Sequence, residues 1–156
     1  MATVRVHFPR SLAEKFVRRA RSIFPVEYFV YLLGRETQKG WTVHEVVWPE
    51  DGDLWQDPSG NFVMPREAFV DRTFAIAKAL NLNLIGDLHS HCYYVEEMAH
   101  SDAVPSLKDF ERWVGKPSNH PLKIFGICEL RTVGDGRIRR KITFWRAEPP
   151  LSLHLK

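Results

Sequence analysis

The sequence predicts an α/β fold built on a mixed, largely antiparallel sheet with flanking helices. Strand-like apolar runs alternate with helix-like amphipathic segments, which excludes an all-α or all-β chain. Two stretches, 28–48 and 122–146, each read as two strands joined by a short connection, and a hairpin needs antiparallel neighbours, so a doubly wound parallel sheet does not fit. The 156 residues contain no internal repeat or linker and make about one domain. Residues 1–147 are therefore read as a single domain. Residues 148–156 are read as a short C-terminal tail, because Pro149-Pro150 cannot continue a central strand.

The first strand candidate is Thr3 to Phe8, where Val4 and Val6 alternate with Arg5 and His7 before Pro9 closes it. Ser11-Leu12-Ala13-Glu14 has the S-x-x-E form of a capping box and predicts a helix whose apolar face is Leu12, Phe16, Ala20 and Ile23. Tyr28 to Leu33 is a continuous apolar run ending at Gly34, as expected of a strand buried on both faces. Trp41 to Trp48 is the next strand, with 35–40 as the connection. Pro49 to Gly60 carries Glu50, Asp51, Asp53 and Asp57 around Trp55 and is predicted to be an acidic loop facing water. Asn61 to Met64 is a short strand candidate. Pro65 then sits where a first-turn proline would open a helix from Arg66 to about Leu82, its apolar residues including Phe69, Val70, Phe74 and Ala77. Leu82 to His91 is a strand, Cys92 to Pro105 a loop, and Leu107 to Val114 a short helix. Leu122 to Arg131 and Arg137 to Arg146 are strands on either side of Asp135-Gly136, a strong hairpin signal.

Composition narrows the function classes. Lys and Arg total 22 against 19 Asp and Glu, a net charge of +3, and the basic residues are scattered. A phosphate backbone would find no stripe to follow, so no nucleic-acid partner is expected. With 44% hydrophobic and 26% charged residues the chain has ordinary globular composition, and no apolar run approaches a membrane span. The N-terminus lacks the basic start and long apolar stretch of a secretory signal. Two cysteines, Cys92 and Cys128, are too few for a disulfide framework, and a reducing cytoplasm is the expected compartment, with no membrane partner. No feature of the sequence sets an oligomeric state.

The chemistry is concentrated in Gly86-Asp87-Leu88-His89-Ser90-His91. Residues two apart on a strand share a face, so His89 and His91 project side by side at a separation that one metal ion can bridge, with Leu84, Gly86, Leu88 and Ser90 on the other face. Taken alone, H-x-H is more often a pair of satisfied sheet histidines. A catalytic zinc site needs a third protein ligand and an open fourth position. Ser106 can cap the predicted short helix, which puts Asp109 in its first turn. Asp102 and His100 compete as donors; Asp109 is preferred because Ala99, not a hydroxyl residue, precedes Asp102 by three positions. Cys92 is a further, less suitable soft donor. Proton transfer needs a carboxylate that is not a ligand. Glu27, in Pro25-Val26-Glu27 at the entrance to an apolar strand, is the candidate, although by itself it also reads as an exposed glutamate closing a loop.

Pro25-x-Glu27 followed by Leu32-Leu33-Gly34, then His89-x-His91, then Pro105-Ser106-x-x-Asp109, resembles the JAMM (MPN+) zinc metallopeptidases over roughly residues 3 to 147. The resemblance implies a cytidine-deaminase-like MPN architecture and hydrolysis of the bond after the C-terminus of ubiquitin or a ubiquitin-like protein. It implies that His89, His91 and Asp109 hold Zn²⁺, that Glu27 is general base and acid, and that Ser106 helps to hold the oxyanion. The chain departs from the family pattern in the connection from Cys92 to Pro105, which is fourteen residues against the usual seven. At the unexpanded spacing Asp102 takes the place of the aspartate, with Ala99 in the place of the serine. Cys92 and Val30 also replace a proline and a glycine of the pattern. The size is similar to stand-alone prokaryotic members, which process or deconjugate small ubiquitin-like proteins, some in antiviral operons. The acidic loop 50–57 and the loop 92–105 are placed to grip the partner's extended tail.

The alternative is a catalytically inactive MPN-like scaffold that only binds protein, which is disfavoured because the expected polar residues are all present. A metal-dependent nuclease lacks its basic stripe. A zinc deaminase lacks the H-x-E and P-C-x-x-C pattern.

Overall fold

The computed structural model describes residues 3–58, 62–94, 122–133 and 136–146. In chain order these form β1 (Val6–His7), α1 (Arg10–Ser22), β2 (Phe29–Thr37), β3 (Gly40–Val47), β4 (Leu54–Gln56), β5 (Val63–Pro65), α2 (Glu67–Leu80), β6 (Asn83–Tyr93), β7 (Ile124–Thr132) and β8 (Ile138–Arg146). Six strands make one mixed sheet in the order β1-β3-β2-β6-β7-β8, while β4 and β5 pair separately. The β2/β3, β2/β6 and β7/β8 pairs are antiparallel; β1/β3 and β6/β7 are parallel. Among the described residues no helix is long and apolar enough to cross a membrane.

Alternation along β2 explains why its sequence is apolar throughout. Tyr28, Val30 and Leu32 pack with Phe16, Val17 and Ala20 of α1. Phe29, Tyr31 and Leu33 pack with Phe69, Val70 and Ala77 of α2. Both faces of the strand are thus covered, and each fully buried Leu or Phe contributes about 1.5–3 kcal/mol. Sequence 3–7 joins the two edges of the sheet. Thr3 bridges Trp145 and the Val4 N–H donates to Phe144 O at 3.0 Å on β8, whereas Val6 and His7 pair with Trp41 and Thr42 on β3. Three residues span at most about 11 Å, so the sheet curls until its edges nearly meet, with α1 packed on the α1-side core.

Several expectations are corrected. The strand predicted over Thr3 to Phe8 is only Val6–His7, because the segment is divided between two partners. The capping box does not form: Pro9 is the N-cap, its carbonyl accepting from the N–H groups of Leu12 and Ala13, so Ser11 lies inside the helix and Glu14 pairs with Arg10 at 3.0 Å instead. β2 runs to Thr37, leaving a tight turn where a six-residue connection was expected. Its bulge at Leu33/Gly34 brings the chain so close to β3 that a Cβ on Gly34 would lie 1.9 Å from Thr42 O. Pro65 ends β5 and does not open α2, which starts at Glu67 and ends at Asn81 in the left-handed conformation. Leu84 packs with the α2-side core while Leu88 packs with the α1-side core, because a register shift opposite Leu32/Leu33 moves it off the face predicted for it. Within the predicted water-facing loop, 54–56 form β4 and Asp53 is buried. Asp135, the predicted short helix from Leu107 and the tail 148–156 lie outside the described residues.

Candidate functional site

The strand β6 lies between β2 and β7, and its pairing decides what surrounds the two histidines. Phe29 is opposite His89 on the β2 side. One step on, the Ser90 N–H donates to Tyr28 O at 2.9 Å and the Tyr28 N–H donates to Ser90 Oγ at 2.8 Å. On the other side His89 is paired with Ile127, His91 with Glu129 and Tyr93 with Arg131. Paired residues share a face, so His91 and Glu129 lie side by side, as do Tyr93 and Arg131. The close approach of β6 to β7 is secured at Gly86, where a Cβ would lie 2.0 Å from Ile124 O.

His89 is 1% exposed and His91 is half-buried. Their Nε2 atoms are 2.9 Å apart and their ring planes are inclined at 58°. At that distance one proton lies between the two nitrogens when both rings are neutral. In a tetrahedral zinc site with Zn–N bonds of about 2.0–2.1 Å, two nitrogens are ~3.3–3.4 Å apart, so a few tenths of an ångström of opening admits a cation between them. Two convergent imidazole nitrogens on a rigid strand are the donors such an ion requires, and the pair fits a zinc centre as two of its ligands. Among the described residues no group of three or more His, Cys, Asp or Glu is arranged to hold a metal. Asp109, Asp102, His100 and Ser106 lie outside the described residues.

Glu27 is 7% exposed and so is a buried carboxylate at the mouth of β2. Its backbone oxygen accepts from Gln56 Nε2 at 2.8 Å, which ties it to β4. Its charge reaches Cys92: burial first and the Glu27 carboxylate second push that thiol up to about 12, which keeps it protonated at neutral pH. Cys92 continues β6 and does not begin a loop. The thiol of Cys128, on the adjacent strand, is likewise pushed up to about 12, chiefly by burial.

Three residues of this face were not singled out from the sequence. The Tyr93 hydroxyl is 3.1 Å from His91 Nδ1. The Arg131 guanidinium lies 4.4 Å from the centre of the Tyr93 ring. Arg131 in turn donates from Nη2 and Nε to Glu129 Oε1 at 2.7 and 3.1 Å. Glu129 is 3% exposed, and its Oε2 has no hydrogen-bond partner among the described residues. The signal was available in the period of two, since His89-x-His91-x-Tyr93 continues one face and Glu129-x-Arg131 repeats it on a strand of its own. What concealed it was the neighbour relation, because nothing local says that 124–132 lies parallel to 83–93.

No protein-family model matches the chain, and no curated protein matches it. The chain is similar in structure to protein DSY2949 from Desulfitobacterium hafniense, known from a solution structure. The two share 16% identity with a TM-score of 0.54 over 92% of this chain and 90% of that one, a likeness of fold alone.

Proposed function

We propose that the protein is a zinc-dependent peptidase of the JAMM type, with a cytidine-deaminase-like MPN architecture. Its reaction is hydrolysis of the bond after the C-terminus of a ubiquitin-like protein, in deconjugation or precursor processing, within the cytoplasm and in a prokaryotic conjugation system of the antiviral kind. The observation that carries this reading is the 2.9 Å approach of His89 Nε2 and His91 Nε2 on one strand, with the buried Glu27 two residues before Phe29, the partner of His89.

His89 and His91 would hold the ion with Asp109, or Asp102 in its place, as the third ligand. Zinc supplies Lewis acidity toward a carbonyl oxygen and toward water, whose pKa it brings down to about 7. Glu27 takes a proton from the attacking water at its carboxylate and returns it to the leaving nitrogen. Ser106 donates a hydrogen bond to charge that develops on the carbonyl oxygen. The partner's extended tail is received beside Glu27. There a cleft of about 220 Å³ is lined by Ile23, Tyr28, Glu50, Asp51, Leu54 and Gln56, and the exposed Trp55 and Met64 face each other across β4 and β5.

Elemental analysis of protein purified without added zinc tests this reading together with cleavage of ubiquitin-like proteins that carry a fluorescent amine on the C-terminal carboxyl. Close to one equivalent of zinc, and release of the amine that a chelator abolishes, are expected. Much less than one equivalent, with no release from any such substrate, would leave only the protein-binding scaffold.

A further inference from the structure

We propose that Tyr93 is a positioning residue for His91: its hydroxyl holds the imidazole ring and fixes which of the two ring nitrogens carries the proton. For a cation, this inference rests on the zinc reading above; for the ring itself, it rests on the hydrogen bonds alone.

A histidine that ligates through Nε2 must carry its proton on Nδ1, and that N–H needs an acceptor. Tyr93 is the group placed to provide one, with its hydroxyl oxygen 3.1 Å from His91 Nδ1. The other nitrogen of the same ring faces His89 Nε2 at 2.9 Å. Taken by themselves, the two contacts form one chain with two self-consistent arrangements of neutral groups. In one, the Tyr93 O–H donates to His91 Nδ1 and the His91 Nε2–H donates to His89. In the other, the His91 Nδ1–H donates to the Tyr93 oxygen and His91 Nε2 accepts from the His89 Nε2–H, so that moving that one proton off His89 Nε2 leaves both Nε2 lone pairs for a cation. A hydroxyl can accept as well as donate, so Tyr93 can take the Nδ1–H that the second arrangement requires. The second arrangement is the one that accepts a cation. A carboxylate at this position could only accept and an ammonium could only donate.

The placement of Tyr93 is itself enforced. Arg131 lies over the ring at 4.4 Å, and Glu129 holds that guanidinium through two hydrogen bonds. Glu129 is almost fully buried on β7, and the β6/β7 register puts Glu129 beside His91 and Arg131 beside Tyr93. The ion pair therefore braces the aromatic ring from the neighbouring strand, and the ring braces the histidine.

The test compares wild type, Tyr93→Phe and Arg131→Gln, with zinc alone as the probe. Competition against a chelator should show Tyr93→Phe binding zinc 10- to 100-fold more weakly, as expected for loss of an outer-shell partner, with an unchanged melting temperature. Nitrogen-15 NMR of the metal-free imidazoles supplies the readout that a merely structural role would not move. His91 should show one dominant tautomer in wild type, a mixture in Tyr93→Phe, and an intermediate pattern in Arg131→Gln, which keeps the hydroxyl but frees the ring. Zinc affinity within twofold of wild type together with unchanged tautomer populations would overturn the proposal. Wild-type protein that takes up no zinc, yet loses its single tautomer in Tyr93→Phe, would support Tyr93 as the positioning residue while sinking the peptidase reading.

Discussion

His89 and His91 could be paired from the sequence because the period of a strand is local: whichever face one takes, the other shares it. Glu27 is different. Its burial comes from β6 and β4, which follow it by dozens of residues, so the sequence alone left it between a loop glutamate and a desolvated base. The proposed third ligand, Asp109 or Asp102, lies outside the described residues. If Asp109 closes the coordination shell, Asp109→Ala should weaken zinc binding by more than the 10- to 100-fold typical of an outer-shell loss, whereas Asp102→Ala should change it by no more than about twofold. Chelator competition measures both, and the opposite ranking would transfer the role to Asp102.

At the scale of elements, the β4/β5 hairpin shows how a loop-like sequence becomes a support for the site. Asp53 was expected in water with the other acids of 50–57. It is instead 6% exposed, accepting from Arg72 Nη1 at 3.1 Å and from the Glu50 N–H at 2.7 Å. Arg72 belongs to α2 and also donates to Trp48 O at 3.3 Å, so one guanidinium ties the end of β3, the turn and the helix together. The hydrogen bonds from Arg72 hold the Asp53 carboxyl below the usual carboxylate range. A carboxyl depressed in the folded state adds stability that is complete above its unfolded pKa of about 3.9 and is lost as pH falls through the folded value. Asp53→Asn should therefore cost about 1–3 kcal/mol at pH 7 by thermal unfolding, at the lower end because Arg72 is partly solvated, and should flatten the fall in stability below about pH 4. An unchanged acid slope would mean that the pair does not anchor the hairpin. Gln56 at the end of β4 donates to the Glu27 backbone oxygen, so the hairpin also holds the chain where β2 begins. None of this was legible locally, since Asp53 and Arg72 are joined only through the tertiary fold. The failed capping box at Ser11 has the same origin in reverse, a local motif displaced by a helix that starts at Arg10.

For the whole molecule, both hairpins were readable because each is closed by neighbouring sequence. The parallel β6/β7 contact and the meeting of the sheet edges at Thr3 were not, because they join distant segments. Those distant contacts bring the two histidines and the Tyr93–Arg131–Glu129 brace onto one face. The most direct test is the rate at which zinc-loaded Glu27→Gln releases a fluorescent amine from the C-terminus of a ubiquitin-like substrate that wild type cleaves. Glutamine matches glutamate in size but cannot take up the proton. One equivalent of zinc, an unchanged melting temperature and a rate reduced by a factor of roughly 10²–10⁴ are expected. A zinc-loaded variant that turns over at the wild-type rate would contradict the proposed role of Glu27.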